Sequence, residues 1–323
     1  MQKFREKHLF YSEHIAYLIW GLIIFFILYF SFTESHPWYF NDSSPNMLCF
    51  FLIATLGISH GAYDHLKGKK ILKIFKVKNI FIFYFLYIAF GLLIILLWIN
   101  INLFMLIIFL IVASFHFGKE DCNAYTVKQG NLNLILYLIK GSLIVFAPLL
   151  FHLDDTIEIF ESLYLVNTTF VDLLILLNSN YIFLIFIIIS LICNFLIFDN
   201  YVHGMGGLIE SLLILLINFC FSPIVAFTIY FCFFHSMRHI ISLILEYEKE
   251  DFDLSEGIKK FSKRALPLTL ITLTLFIGSV YFLNNYYVLD AAILKVIFIG
   301  LASLTFPHIF LEYLIEKNEK QRN

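Results

Sequence analysis

Apolar residues gather in ten runs, at approximately 15–32, 46–59, 79–98, 101–117, 132–151, 181–198, 207–221, 223–245, 266–283 and 289–306. A helix crosses the bilayer core with about 20 mainly apolar residues, so the pattern predicts an all-α, polytopic transmembrane helix bundle of eight to ten spans. The runs at 46–59 and 207–221 are short and pass directly into polar, histidine-bearing sequence, as a helix does when one end lines a site rather than lipid. The run 15–32 is too long for the apolar region of a secretory signal, and Glu34 to Trp38 offers no small-residue cleavage site, so it reads as a first span. The longest polar connection, about Glu246 to Arg264, is under twenty residues, and 1–323 reads as a single integral membrane domain.

Lys and Arg accumulate on the cytoplasmic side of a membrane protein. Here they cluster at Lys3 to Lys7, Lys67 to Lys78, Lys249 to Arg264 and Lys317 to Arg322, whereas Phe151 to Tyr181 carries Asp154, Asp155, Glu158, Glu161 and Asp172 without a cation. Ten spans with both termini cytoplasmic satisfy every cluster, which predicts a multi-pass protein of the inner (plasma) membrane.

Composition narrows the partners. Charged residues make up 14% of the chain, against about a quarter in soluble domains, so the lipid bilayer is its solvent. A net charge of −2 provides no basic field for nucleic acid. The five cysteines stand singly with no Cys-x-x-Cys pair, which argues against both a disulfide framework and a zinc knuckle. The 39 Phe would suit an aromatic tunnel, but they also fit the coding bias of a low-G+C genome.

Candidate chemistry is histidine. Five polar clusters interrupt the apolar runs: Ser59-His60-Gly61-Ala62-Tyr63-Asp64-His65, Phe115-His116-Phe117-Gly118-Lys119-Glu120-Asp121, His203-Gly204 to Glu210, His235-Ser236-Met237-Arg238-His239, and Pro307-His308 to Glu312. In the ten-span reading all five lie near cytoplasmic helix ends, so segments distant in sequence deliver histidine to one membrane depth. His235 and His239 have the i, i+4 spacing that stacks two side chains on one helix face, and such a pair can chelate a metal. His60 and His116 add one ligand each, giving four imidazoles with positions left for substrate or dioxygen; ligand type alone leaves the first-row metal open. Asp64, Glu120, Asp121 and Glu210 are of the kind that accepts a ligand's second ring N–H and fixes its tautomer. Arg238 reads equally as a snorkelling residue or as one that positions a carboxylate, and Lys140 as snorkelling or acid-paired. His8, His14, His36 and His152 read as interfacial polar residues.

The stretch Gly57-Ile58-Ser59-His60-Gly61-Ala62-Tyr63-Asp64-His65 resembles the Pro-His-Gly-x-x-Asp-His signature of the Brp/Blh β-carotene 15,15'-dioxygenases, with Ser59 in place of the proline. Phe115-His116-Phe117-Gly118 with Asp121 is similar to the family's His-Phe-Gly element, and the remaining clusters follow in the family's order over roughly residues 50–313. The resemblance implies a membrane enzyme that uses iron(II) (Fe2+) and O2 to cleave the central double bond of β-carotene into two all-trans-retinal, for use by a retinal-binding microbial rhodopsin. It carries the iron ligands onto His60, His116, His235 and His239, the set reached from spacing, and makes His65, His203 and His308 pocket or supporting residues.

Three other readings share these residues. A membrane di-iron desaturase or hydroxylase also uses boxes such as His60 to His65 and His235 to His239, but needs about eight histidines with adjacent His-His pairs; their absence here favours a mononuclear site. A transporter would spread polar groups over several depths. A carotenoid- or retinal-binding protein that does not cleave would keep the pocket alone.

Overall fold

The computed structural model describes residues 44–247 and 254–320, apart from 124, 126, 129, 131 and 166, together with Leu18 and Gly21. The expected first span at 15–32 and its flanking lysines lie largely outside the described residues. The rest is helical, with one isolated bridge, Val127 to Phe198. Among the described residues, eight helical stretches are long and apolar enough to cross a membrane, or nine if a pair bent by 65° counts as one span.

The helices run in order α1 (Ser44–Leu52), α2 (Asp64–Ile74), α3 (Ile80–Asn100), α4 (Asn102–Cys122), α5 (Asn133–Gly141), α6 (Leu143–Phe151), α7 (Leu153–Ser162), α8 (Thr168–Ser179), α9 (Ile182–Ile197), α10 (Tyr201–Cys220), α11 (Pro223–Ile229), α12 (Met237–Tyr247), α13 (Leu254–Leu283) and α14 (Leu289–Lys320). Asparagine starts three of them: Asn79, Asn167 and Asn200 each accept a hydrogen bond from a first-turn amide, Phe81, Phe170 and His203 respectively, at 2.8–2.9 Å. Pro223 begins α11, where a missing N–H is harmless.

Several boundaries differ from the sequence expectation, and in one direction. The span expected at 46–59 continues to Ile74, that at 101–117 to Cys122, that at 207–221 begins at Tyr201, and α13 and α14 extend to Leu254 and Lys320. Hydropathy truncates each helix where polar residues enter; those at the chamber, His60, Asp64, His116, Glu120, Asp121 and His308, are buried on helical backbone, whereas the added turns of α13 carry Glu256, Lys259, Lys260, Lys263 and Arg264 exposed. His60, His116 and His308 therefore lie within helical stretches rather than at helix ends. Lys67, expected in a cytoplasmic connection, is buried on α2 with its ammonium 2.6 Å from Glu312 of α14. Phe151 to Tyr181, expected as a polar external stretch, is mostly helical as α7 and α8.

Two spans are irregular where they meet. Ile53–Gly57 is π-helical and Ile58–Tyr63 is 3-10, joining α1 to α2; Tyr230–Ser236 is π-helical, joining α11 to α12. A π turn holds an extra residue and re-aims the side chains after it. The two distortions are in contact: a Cβ on Gly57 would sit 2.6 Å from the Phe231 ring, and Ser236 Oγ donates to the Gly57 carbonyl at 2.7 Å. A second close approach joins α4 to α5, where a side chain on Gly118 would strike the Tyr137 carbonyl and one on Gly141 the Ser114 carbonyl.

Candidate metal centre

The irregular stretches and three regular helices bring five buried imidazoles into one chamber. Ring centroids are separated by 5.0 Å for His60 and His239, 5.4 Å for His60 and His235, 5.6 Å for His60 and His308, 5.1 Å for His116 and His235, and 5.4 Å for His116 and His308. His239 and His308 stand 5.7 Å apart, and His235 and His239 6.4 Å apart and nearly parallel. Four of the five are the histidines expected from sequence. His308, expected as a pocket or supporting residue, is inside the cluster.

Polar satisfaction divides the rings. His239 donates from Nδ1 to Glu120 at 2.9 Å, and His308 from Nδ1 to Asp64 at 2.9 Å, with Tyr87 donating to the same carboxylate at 2.7 Å. His60 Nδ1, both nitrogens of His235, His239 Nε2 and His308 Nε2 are buried without a hydrogen-bond partner. Leaving such an atom unpaired costs about 1–3 kcal/mol, so five together mark a chamber built for a ligand. Imidazole nitrogens with carboxylates behind two of them are the donor set of a first-row transition metal.

Glu312 completes the chamber and was not singled out from sequence. Its Oε1 is 3.5 Å from His308 Nε2 and 3.7 Å from His239 Nε2, and its Oε2 is 3.8 Å from His116 Nδ1. It follows His308 at i+4 on α14, the same spacing that drew attention to His235 and His239, so the signal was present in the sequence.

The other expected residues divide. Glu120 holds His239 and Asp64 holds His308 rather than one of the four expected ligands, while Asp121 and Glu210 grip Arg238, at 3.0 and 2.8 Å. Tyr230 donates to Asp121 at 2.9 Å and Tyr125 to Glu210 at 2.8 Å. Arg238 is thus a buried clamp of α12 onto α4 and α10 rather than a snorkelling residue, and Lys140 is buried against Asn194 Oδ1 at 2.8 Å. His65 donates to its own backbone at the Ala62 carbonyl, 2.7 Å away, and lines the cavity described below. His203 stands apart from the five rings at the start of α10, hydrogen-bonded to Asp199 and Asn200 at 3.1 Å. A surface partner lies within four residues in sequence, and α10 turns its inward face through Gly207 and Glu210 instead.

His60, His116, His235 and His308 form one end of an apolar cavity of about 610 Å³. It follows α14 from His308 to Lys295, thirteen residues or about 20 Å at 1.5 Å per residue, most of the depth of a hydrocarbon core about 30 Å thick. Its sides are α3 and α13, whose apolar residues are largely exposed on the outer surface. The far end is lined by Lys295, whose ammonium lies over the rings of Tyr164 at 3.7 Å and Tyr287 at 4.5 Å.

Comparison with known proteins bears on the same residues. A curated relative described as Beta-carotene 15,15'-dioxygenase, from an uncultured marine bacterium 66A03, is 26% identical over 265 residues, covering 80% of this chain and 90% of the relative. No solved structure matches. The sequence pattern of the family Beta-carotene 15,15'-dioxygenase matches residues 51–316, a segment that contains all five chamber histidines and Glu312. With most of its length matched, this chain belongs to the β-carotene 15,15'-dioxygenase family and is an oxygenase of the membrane.

Proposed function

We propose that the protein is an iron-dependent dioxygenase that splits the central 15,15' double bond of β-carotene with O2. One hydrocarbon and one O2 give two all-trans-retinal; the carbon–carbon double bond breaks and each new aldehyde keeps one oxygen atom. The observation that carries this reading is the placement of the histidine cluster, with His60, His116, His235 and His308 in the lining, at one end of a long apolar cavity. His60, His116, His235 and His239 would hold the iron centre, which when bound would supply the activation of dioxygen that no side chain of the protein performs.

The polypeptide contributes the rest. Glu120 keeps the His239 proton on Nδ1, so Nε2 presents its lone pair inward, and Asp64 does the same for His308. Arg238 ties the helix that carries His239 to Asp121 and Glu210 and so holds the histidines of α12 and α4 in register. Apolar walls exclude water and receive a polyene from the acyl chains without passing it through an aqueous phase. Retinal made in the plasma membrane is there for a retinal-binding rhodopsin.

Pigments extracted from β-carotene-accumulating bacteria that express the chain test this directly. Loss of carotene with retinal formation, abolished by an iron chelator, is the expected result. Carotene left intact beside correctly inserted protein would reject the proposed reaction, and bound but uncleaved pigment would identify a carotenoid-binding protein instead.

A further inference from the structure

The chamber carries more donors than one ion can use while keeping a position open. We propose that it holds two metal ions, with Glu312 as the carboxylate between them and His308 as a ligand, so that α14 takes part in the centre. This rests on the metal-centre reading above and is independent of the substrate.

The first observation is a repeated motif. His308 reproduces the arrangement of His239: a carboxylate accepts from Nδ1 at 2.9 Å and Nε2 is left without a partner. With the proton held on Nδ1, each Nε2 presents a lone pair. Both face Glu312 Oε1, at 3.5 and 3.7 Å. A lone pair and a carboxylate oxygen repel, and a cation between them turns the contact favourable. The Lys67 ammonium also lies at that oxygen, 2.6 Å away, so Glu312 is an oxygen that takes a cationic partner, and a metal ion there would share it with Lys67.

Grouping supplies the second observation. Donor atoms of His116, His308 and Glu312 all lie within 4.8 Å of one another, and so do those of Glu120, His239 and Glu312; the two triads share Glu312 alone. Metal–ligand bonds of about 2.0–2.2 Å bring donors on one ion to within roughly 4.4 Å, so His116, His308 and Glu312 need only small shifts to close on one ion and His239 and Glu312 on another, with Glu120 holding the His239 N–H. Ring distances assign the remaining histidines. His235 lies nearest His116, at 5.1 Å, and His60 nearest His239, at 5.0 Å.

Coordination number supplies the third. Five imidazoles and one carboxylate would fill an octahedral ion completely. Divided between two ions bridged by Glu312, the same six donors leave open positions on both. The sequence has no adjacent His-His pair, which favoured a single ion; the folded chamber instead draws its donors from α4, α12, α14 and the two irregular stretches.

Metal counting decides the matter without reference to activity. The full chain is purified in detergent from iron-supplemented cells, and iron is measured by mass spectrometry against protein from amino-acid analysis. Roughly two ions per chain are expected, falling to about one or fewer in Glu312→Gln and His308→Ala, with helical circular dichroism retained. Wild type that binds one ion per chain overturns the proposal, as does a Glu312→Gln protein that still binds two. Should either variant fail to fold, magnetic resonance on the oxidised wild type decides: an exchange-coupled ferric pair is EPR-silent, whereas the strong signal of isolated ferric ions at full occupancy refutes it. Two ions in a protein that leaves β-carotene intact would remove the proposed reaction and leave this inference standing.

Discussion

Each imidazole in the chamber has a defined neighbour, so single substitutions separate the roles. His60→Ala, His116→Ala, His235→Ala and His239→Ala are each expected to abolish retinal formation while the protein still inserts, as judged by immunoblot of membranes beside chromatography of pigments. Near-normal retinal from a well-inserted variant would remove that histidine from the ligand set. Glu120→Ala and Asp64→Ala should act differently, because they take away the group that orients a ligand and not the ligand itself. Losing such a partner typically weakens metal binding 10–100-fold, which chelator competition on the purified protein would read. Ser59, the departure from the family signature, places its hydroxyl on the Leu56 carbonyl at 2.8 Å on the exposed side of the stretch, away from the rings.

Helices meet at points that tolerate no added atom. Gly118 and Gly141 face backbone carbonyls across the α4–α5 crossing, and backbone cannot swing aside as a side chain does. Gly118→Val should therefore destabilise by about 1–3 kcal/mol or more, lowering the detergent melting temperature and displacing His116 two residues away. Gly278 on α13 has nothing within 4 Å of a built Cβ, so Gly278→Ala should be neutral or raise the melting temperature slightly. Arg238 is the other inter-helix device. Arg238→Ala would bury Asp121 and Glu210 without their counter-charge, at a cost of about 3–5 kcal/mol, and Arg238→Lys should rescue it only in part because an ammonium cannot span both acids.

Seen whole, the bundle surrounds a histidine-lined chamber at one depth with a hydrocarbon-lined cavity leading away from it along α14. Thr272 on α13 lines that cavity with its hydroxyl turned back to the Leu268 carbonyl at 3.0 Å. Thr272→Trp is expected to lower kcat/KM for carotene about tenfold or more, equivalent to about 1.4 kcal/mol, with iron content unchanged. Unaltered turnover in a variant with full iron would show that substrate takes another route. The same variant therefore separates the chamber from the cavity, which single histidine replacements cannot do.

Spanning segments were legible in the sequence because transfer of apolar side chains into lipid is local and nearly additive along the chain. The five histidine clusters were legible too, since ionisable groups within apolar runs are costly and mark themselves. Four of the clusters meet in one chamber, with Glu120 on the ring N–H of His239 and Asp64 on that of His308, a histidine the sequence had placed outside the ligand set. What only the tertiary structure decided was partnership. Whether Asp121 turns to an imidazole or to Arg238, whether Lys67 faces water or Glu312, and whether His308 points at the other rings depend on helix rotation and on two π-helical distortions. Those are settled by packing between segments as far apart as residues 60 and 312. His203 shows the same limit from the other side: its cluster looks like the rest, but the first turn of α10 gives it Asp199 and Asn200 as partners and leaves it outside the chamber.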